Sequence, residues 1–163
     1  MRLDAAVQAG MLEILTAMPE AAGVEQHLLR MLQRIERFEP RHVVVDAISA
    51  FRRMGSEHAA FDLSVRLLNV ARQHGITCLY TNQATEAEDV MQITGLGISS
   101  LVDTLIAMPY CDDGQGLTRR LLVVKSRGGP HSMRYHDFAI TSDGIAFARG
   151  PDAGGSRPKG GVR

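Results

Sequence analysis

Apolar positions along the first two-thirds of the chain follow two rhythms, helical steps and unbroken β-branched runs. From Gly23 onward Val24, Leu28, Met31, Leu32, Ile35 and Phe38 recur at three- and four-residue intervals, while Glu25, Gln33, Arg34 and Arg37 fall opposite. That spacing predicts an amphipathic helix stopped by Pro40. Val43-Val44-Val45, closed by Asp46, predicts a strand covered on both faces, because no polar residue interrupts it. A second helix is predicted over 57–74, capped by Ser56 and ended by Gly75, with Phe61, Val65, Leu68 and Ala71 on one stripe. Residues 76–80 supply a further buried-type strand, and strand, helix and strand in that order predict a parallel crossover. Upstream, residues 11–16 predict a short strand ended by Pro19.

Beyond residue 81 the pattern changes. Residues 82–98 are polar and punctuated by glycine, which predicts a loop or a loop with a short helix, and 104–108 predict a short strand. Cys111-Asp-Asp-Gly-Gln-Gly116 is a turn signal between strands. Residues 117–126, 133–141 and 145–147 read as strands at close spacing, which predicts antiparallel hairpins appended to the parallel sheet. The expected fold class is therefore α/β, with a core over 1–149. A disordered Gly/Pro-rich tail is expected over 150–163, where five glycines and two prolines leave almost nothing to bury.

Composition narrows the function classes. A chain of 163 residues fits one ordinary domain. Its 18 Lys and Arg balance its 18 Asp and Glu, so no global field draws it to DNA, RNA or acidic lipid, and DNA binding is not expected. Cys78 and Cys111 have no Cys-x-x-Cys companion; Cys78 reads as a core residue, and a reducing compartment follows. With no signal-peptide pattern and no apolar run near the roughly 20 residues that cross a bilayer, a cytoplasmic location off the membrane is expected.

Two places carry candidate chemistry. Asp46 ends an apolar run, which would set a carboxylate at the carboxyl end of a parallel strand, where α/β sheets bind ligands. An acid there can hold Mg²⁺ through its water shell, or it can cap a helix or turn. Lys125, Arg127 and His131 lie within seven residues, at a strand end followed by Gly128-Gly129-Pro130. Lys125 and Arg127, two residues apart, share a side of an extended strand and could meet phosphate oxygens together, although a solvated strand end has the same pattern. His131 could bond a phosphate, stack on a base, or pair with Asp137. Glu86, Glu88 and Asp89 read as a solvated acidic loop. The chain nowhere has Gly followed by Lys, so it holds no Gly-x-x-x-x-Gly-Lys-[Ser/Thr] phosphate loop, and the Gly95-Leu96-Gly97 step carries no dinucleotide signal. The six histidines lack metal-ligand spacing.

Several segments, in order, resemble the KaiC family of RecA-type ATPases. Phe38-Glu-Pro-Arg-His-Val-Val-Val-Asp-Ala-Ile-Ser-Ala-Phe51 is similar to its Walker B region, and His74-Gly-Ile-Thr-Cys-Leu-Tyr-Thr-Asn82 to the following strand. Gly97-Ile-Ser-Ser-Leu-Val-Asp-Thr-Leu-Ile106 resembles a further family stretch. Lys125-Ser-Arg-Gly-Gly-Pro-His-Ser132 resembles its Lys-x-Arg-Gly-x-x-His element, and Phe138-Ala-Ile-Thr-Ser-Asp-Gly-Ile145 its last hairpin. The resemblance implies a truncated RecA-like three-layer αβα domain, mostly parallel, with C-terminal antiparallel hairpins. It implies ATP and Mg²⁺, weakly held or shared between subunits, with Asp46 as the metal-side acid and Asn82 near the phosphates. Lys125, Arg127 and His131 match residues that reach the nucleotide of an adjacent subunit. A homo-oligomer, or assembly with a complete KaiC-like ATPase, follows from the same likeness. The family's Walker A segment and catalytic glutamates have no counterpart in these residues, so the expectation is no ATP hydrolysis by this chain alone. A non-enzymatic oligomeric scaffold derived from such an ATPase is the alternative.

Overall fold

A computed structural model describes residues 3–83, 97–112, 114 and 116–148. The chain divides into two compact units, 1–86 with 94–101, and 87–93 with 102–163. The acidic run at Glu86, Glu88 and Asp89, most of the 82–98 segment and the 150–163 tail lie outside the described residues.

The first unit runs α1 (Asp4–Gln8), a 3₁₀ turn (Pro19–Ala21), α2 (Val24–Phe38), β1 (His42–Val45), a 3₁₀ helix (Ile48–Met54), α3 (Glu57–Gln73), β2 (Thr77–Tyr80) and a 3₁₀ turn (Ile98–Ser100). β1 and β2 pair in parallel, from His42 opposite Thr77 to Val45 opposite Tyr80, so α3 is the predicted crossover. Ser56 caps α3: its Oγ accepts the Ala59 N–H at 3.2 Å. At the other end Gly75 takes φ +66°, and the Gly75 and Ile76 N–H groups donate to the Arg72 and Ala71 carbonyls at 3.2 and 2.8 Å. Those two bonds form a Schellman stop, which a left-handed glycine permits at little cost. The 3₁₀ helix after β1 has no sequence signal beyond Ile48 and Phe51, both of which it buries.

Leu28 and Ile35 of α2, Ala60, Leu63, Leu67, Leu68 and Ala71 of α3, and Ile98 join them as the buried apolar residues of this unit among those described. Each buried Leu or Ile contributes about 1.5–3 kcal/mol. His27, also buried, satisfies its ring through Nε2 and the Pro19 carbonyl at 3.2 Å.

Two expectations need correction here. Residues 11–16 form no strand. Their apolar side chains are largely exposed, no strand among the described residues offers a ladder, and Glu13 is tied instead to Arg34 of α2 at 2.5 Å. The second concerns β1, which the described residues cover on one face only. Val43, Val45, Cys78 and Tyr80 are half-buried, whereas Val44 and Leu79, opposite one another, are 64% and 58% exposed. A β-branched run establishes a strand, but the number of layers over it depends on elements elsewhere in the chain.

The second unit holds β3 (Thr104–Ala107), β4 (Tyr110–Asp112), β5 (Leu117–Ser126), β6 (His136–Thr141) and β7 (Gly144–Phe147). All pairings are antiparallel, in the order β3-β5-β6-β7 with β4 also beside β5. Ile106 and Ala107 pair with Val123 and Leu122, and Tyr110 to Asp112 continue the same register against Arg119 to Leu117. β3 and β4 are thus halves of one edge strand. Between them the Pro109 carbonyl accepts the Arg120 N–H at 3.0 Å, but proline has no N–H to return, and the ladder breaks there. At Asp112 the carboxylate accepts the Gly114 N–H at 2.9 Å, closing the turn predicted by the Asp-Gly pattern.

By strand alternation Ile106, Tyr110, Leu117, Ile140, Ile145 and Phe147 share one face of this sheet, and all are exposed. Phe138, buried, anchors that face against Phe147 with ring centroids 6.2 Å apart. The Arg119 guanidinium lies 5.2 Å from the Tyr110 ring centre. On the reverse face the cross-strand pair Arg120–Asp137 closes at 2.9 Å.

Candidate functional site

Asp46 follows the last residue of β1, and Thr81 the last residue of β2, so parallel register sets the two side by side. The Thr81 hydroxyl donates to Asp46 Oδ1. Thr81 is held by its backbone as well: its N–H donates to the Val45 carbonyl at 3.0 Å and its carbonyl accepts the Ile48 N–H at 2.9 Å. Both side chains are exposed. The N-cap of the following 3₁₀ helix is Ala47, not Asp46. Asn82, half-buried, is the next residue along.

Beneath this pair, on the covered face of β2, burial raises the Cys78 thiol and pushes the Tyr80 phenol well above its ordinary range, with the Cys78 sulfur adding to the rise at Tyr80. The Tyr80 hydroxyl is buried without a hydrogen-bond partner; Cys78 is near it but makes no bond of proper geometry. A cleft of about 310 Å³ opens where the N-termini of α2 and α3 meet, lined by Gly23, Ser56, His58 and Arg66 among others. Asp46 does not line it.

The second cluster belongs to the second unit. Lys125 pairs with Leu105 and Ser126 with Thr104, and the Arg127 N–H donates to the Asp103 carbonyl at 2.9 Å, extending the same register. Lys125 and Arg127 therefore share a side, as their spacing predicts. One step earlier Leu105/Lys125 gives way to Ile106/Val123, so Val124 is a bulge residue. Bulges re-aim the side chains beyond them, and this one sits directly before the two cations. The Arg127 guanidinium lies 3.7 Å from the Asp103 carboxylate, an exposed pair. His131 is half-buried, and its Nε2 is buried without a partner. The pairing of His131 with Asp137 does not form: the His131 Nε2 has no partner, and Asp137 pairs with Arg120.

A family profile described as "ATPase: KaiC" matches residues 2–151. The chain belongs to the KaiC family of ATPases. Its mixed α/β architecture is that of a truncated RecA-like domain, with one parallel strand pair and a five-stranded antiparallel sheet among the described residues. It is similar to the circadian clock oscillator protein KaiC of a Prochlorococcus marinus strain, 33% identical over 135 residues, which is 83% of this chain and 27% of the relative. It is also similar to the KaiC of Parathermosynechococcus lividus, 32% identical over 136 residues, 83% and 25%. The KaiC of Synechococcus elongatus is 32% identical over 134 residues, 82% and 26%. The chain thus spans about a quarter of the length of these relatives.

Thr81, which no motif singles out, joins Asp46 only through the fold. The signal was present: Asp46 and Thr81 are each the first polar residue after an apolar strand, and parallel strands bring such positions to one edge. Among the described residues no group of three or more His, Cys, Asp or Glu side chains could hold a metal by itself, and no helix is long and apolar enough to cross a membrane.

Proposed function

We propose that this chain is a nucleotide-binding or regulatory module of the KaiC family that does not hydrolyse ATP alone and lends Lys125, Arg127 and His131 in trans to a neighbouring nucleotide site. The observation that carries this reading is the continuous register through Asp103/Arg127 and Leu105/Lys125, which sets an ammonium and a guanidinium on one side of a strand end. A guanidinium grips phosphate oxygens as a planar fork and an ammonium acts as a point charge, so the pair suits a polyphosphate. His131, four residues beyond Arg127 on the chain, has a ring nitrogen without a partner and could add a donor or acceptor.

On the other unit, Asp46 and Thr81 offer one carboxylate and one hydroxyl at strand ends. That donor set is too small for a resident cation and fits Mg²⁺ that arrives on a nucleotide, keeps most of its water and takes one carboxylate from the protein. When bound, the ion would neutralise phosphate charge. Asp46 would hold it through water, with Asn82 next to it on the chain. No Gly-Lys pair occurs in the 163 residues to cradle and neutralise a γ-phosphate, which supports the absence of independent turnover. The unpaired thiols Cys78 and Cys111 support work in a reducing compartment, the cytoplasm.

The test is complementation. Mixing this protein with a complete KaiC-family ATPase should change the steady-state rate of ATP hydrolysis, and Lys125→Ala combined with Arg127→Ala should remove the change. An unchanged rate on mixing, with complex formation demonstrated independently, would reject the contribution in trans.

A second reading, a non-enzymatic oligomeric interaction domain, is favoured by the exposed apolar face of the antiparallel sheet. Six large apolar side chains on one face are more than scattered surface residues, and such faces mark association surfaces. Homo-oligomerisation is compatible with both readings.

A further inference from the structure

We infer that Thr81 is a positioning residue for Asp46: its hydroxyl, donating to Oδ1, sets the carboxylate in the orientation that receives a nucleotide-borne divalent cation. The inference rests on the nucleotide reading above and goes further, by naming a residue that acts through Asp46.

Three constraints converge on Thr81. Its N–H is bonded to Val45, its carbonyl to Ile48, and its hydroxyl to Asp46. The first two bonds fix its Cα between the end of β1 and the start of the 3₁₀ helix. A β-branched side chain then has few χ1 choices, so the hydroxyl is presented from a defined point. A carboxylate is planar, and with its Cα held at the end of β1, locating Oδ1 confines where Oδ2 can lie. One O–H donor uses only one of about four lone-pair sites, which leaves acceptor capacity for a cation or its water. An exposed aspartate without such a brace would spread over several rotamers, and only a fraction would be competent. Partners in the outer shell of a metal site typically matter about 10- to 100-fold in affinity, and an exposed brace belongs at the lower end.

The experiment uses Mn²⁺ as the paramagnetic probe, titrated with ATP into the full 163-residue protein, with bound Mn²⁺ read by electron paramagnetic resonance. Asp46→Asn should abolish retention of Mn²⁺-ATP. Thr81→Val, which keeps the shape and loses the donor, should weaken it about tenfold. Thr81→Ser, which restores the hydroxyl, should return it to within about twofold of the unsubstituted protein. Circular dichroism and urea midpoints of all variants are compared in parallel. If Asp46→Asn loses binding while Thr81→Val keeps it, the positioning role is wrong and the nucleotide reading stands. If Asp46→Asn binds as well as the unsubstituted protein, or if that protein binds no Mn²⁺-ATP, the underlying reading falls and this inference with it. Loss of folded signal in Thr81→Val, or failure of Thr81→Ser to rescue, would make the bond a contact of the fold and overturn the inference.

Discussion

Replacing Tyr80 by Phe removes one oxygen from the covered face of β2, and the structure determines which way stability should move. The hydroxyl is buried and lacks a partner. A buried polar group without a hydrogen bond costs about 1–3 kcal/mol, and the residue's partial exposure puts Tyr80 at the low end. Tyr80→Phe should therefore leave stability unchanged at pH 7 or raise it by up to about 1 kcal/mol. Most trimming of half-buried side chains does the reverse.

The pH dependence sharpens the prediction. Burial raises the folded-state phenol above its unfolded value. The unfolded chain then gives up its proton first, so the contribution of Tyr80 is fully present below about pH 10 and declines as pH climbs toward the folded value. The limiting slope is about 1.4 kcal/mol per pH unit, and partial exposure shrinks the shift, so roughly half of that accumulates over the first unit above about pH 10. Cys78 is raised by burial too and loses stability in the same direction; because it interacts with Tyr80, both proteins are compared in a Cys78→Ala background, which isolates the phenol. Urea unfolding of the two proteins at pH 7 and near pH 11, with phenolate absorbance followed during titration, is the assay. The advantage of the Phe variant should grow by roughly 0.5–1 kcal/mol between the two conditions. A variant less stable than its parent by more than about 1 kcal/mol at pH 7 would mean the hydroxyl has a partner after all. A gap that does not widen with pH would refute the raised phenol.

Other outcomes follow from the same geometry. Ser56→Ala removes the single side-chain bond at the start of α3 and should cost about 1 kcal/mol in chemical denaturation, with Ser56→Asp close to neutral. If the exposed apolar sheet face mediates self-association, Ile140→Asp should shift the protein to smaller species in sedimentation velocity without lowering its urea midpoint, since Ile140 is 63% exposed. An unchanged distribution would move the association surface elsewhere.

Helices and strand existence were legible because their signals are local. The stripe from Val24 to Phe38, the Ser56 cap and the Gly75 stop all lie within a few residues of what they control, and α2 and α3 follow them closely. β5 coincides with the strand predicted at 117–126 around the apolar Leu121-Leu-Val-Val124. What failed depends on partners distant in sequence. Residues 11–16 have strand composition but no ladder, and Val44 has a buried-type neighbourhood in sequence but no cover in the described residues. The candidate site was half legible. Asp46 stood out at the end of its valines and Lys125 with Arg127 by spacing, yet Thr81 emerges only when parallel register sets it beside Asp46. The bulge at Val124, which re-aims the cation pair, follows from register and leaves no mark in composition.

The most direct measurement is steady-state phosphate release from Mg²⁺-ATP by this polypeptide purified to homogeneity. No turnover above the buffer rate is expected, because nothing in the 163 residues supplies an amide cradle with its own lysine. Sustained Mg²⁺-dependent release that disappears in Asp46→Asn would contradict it.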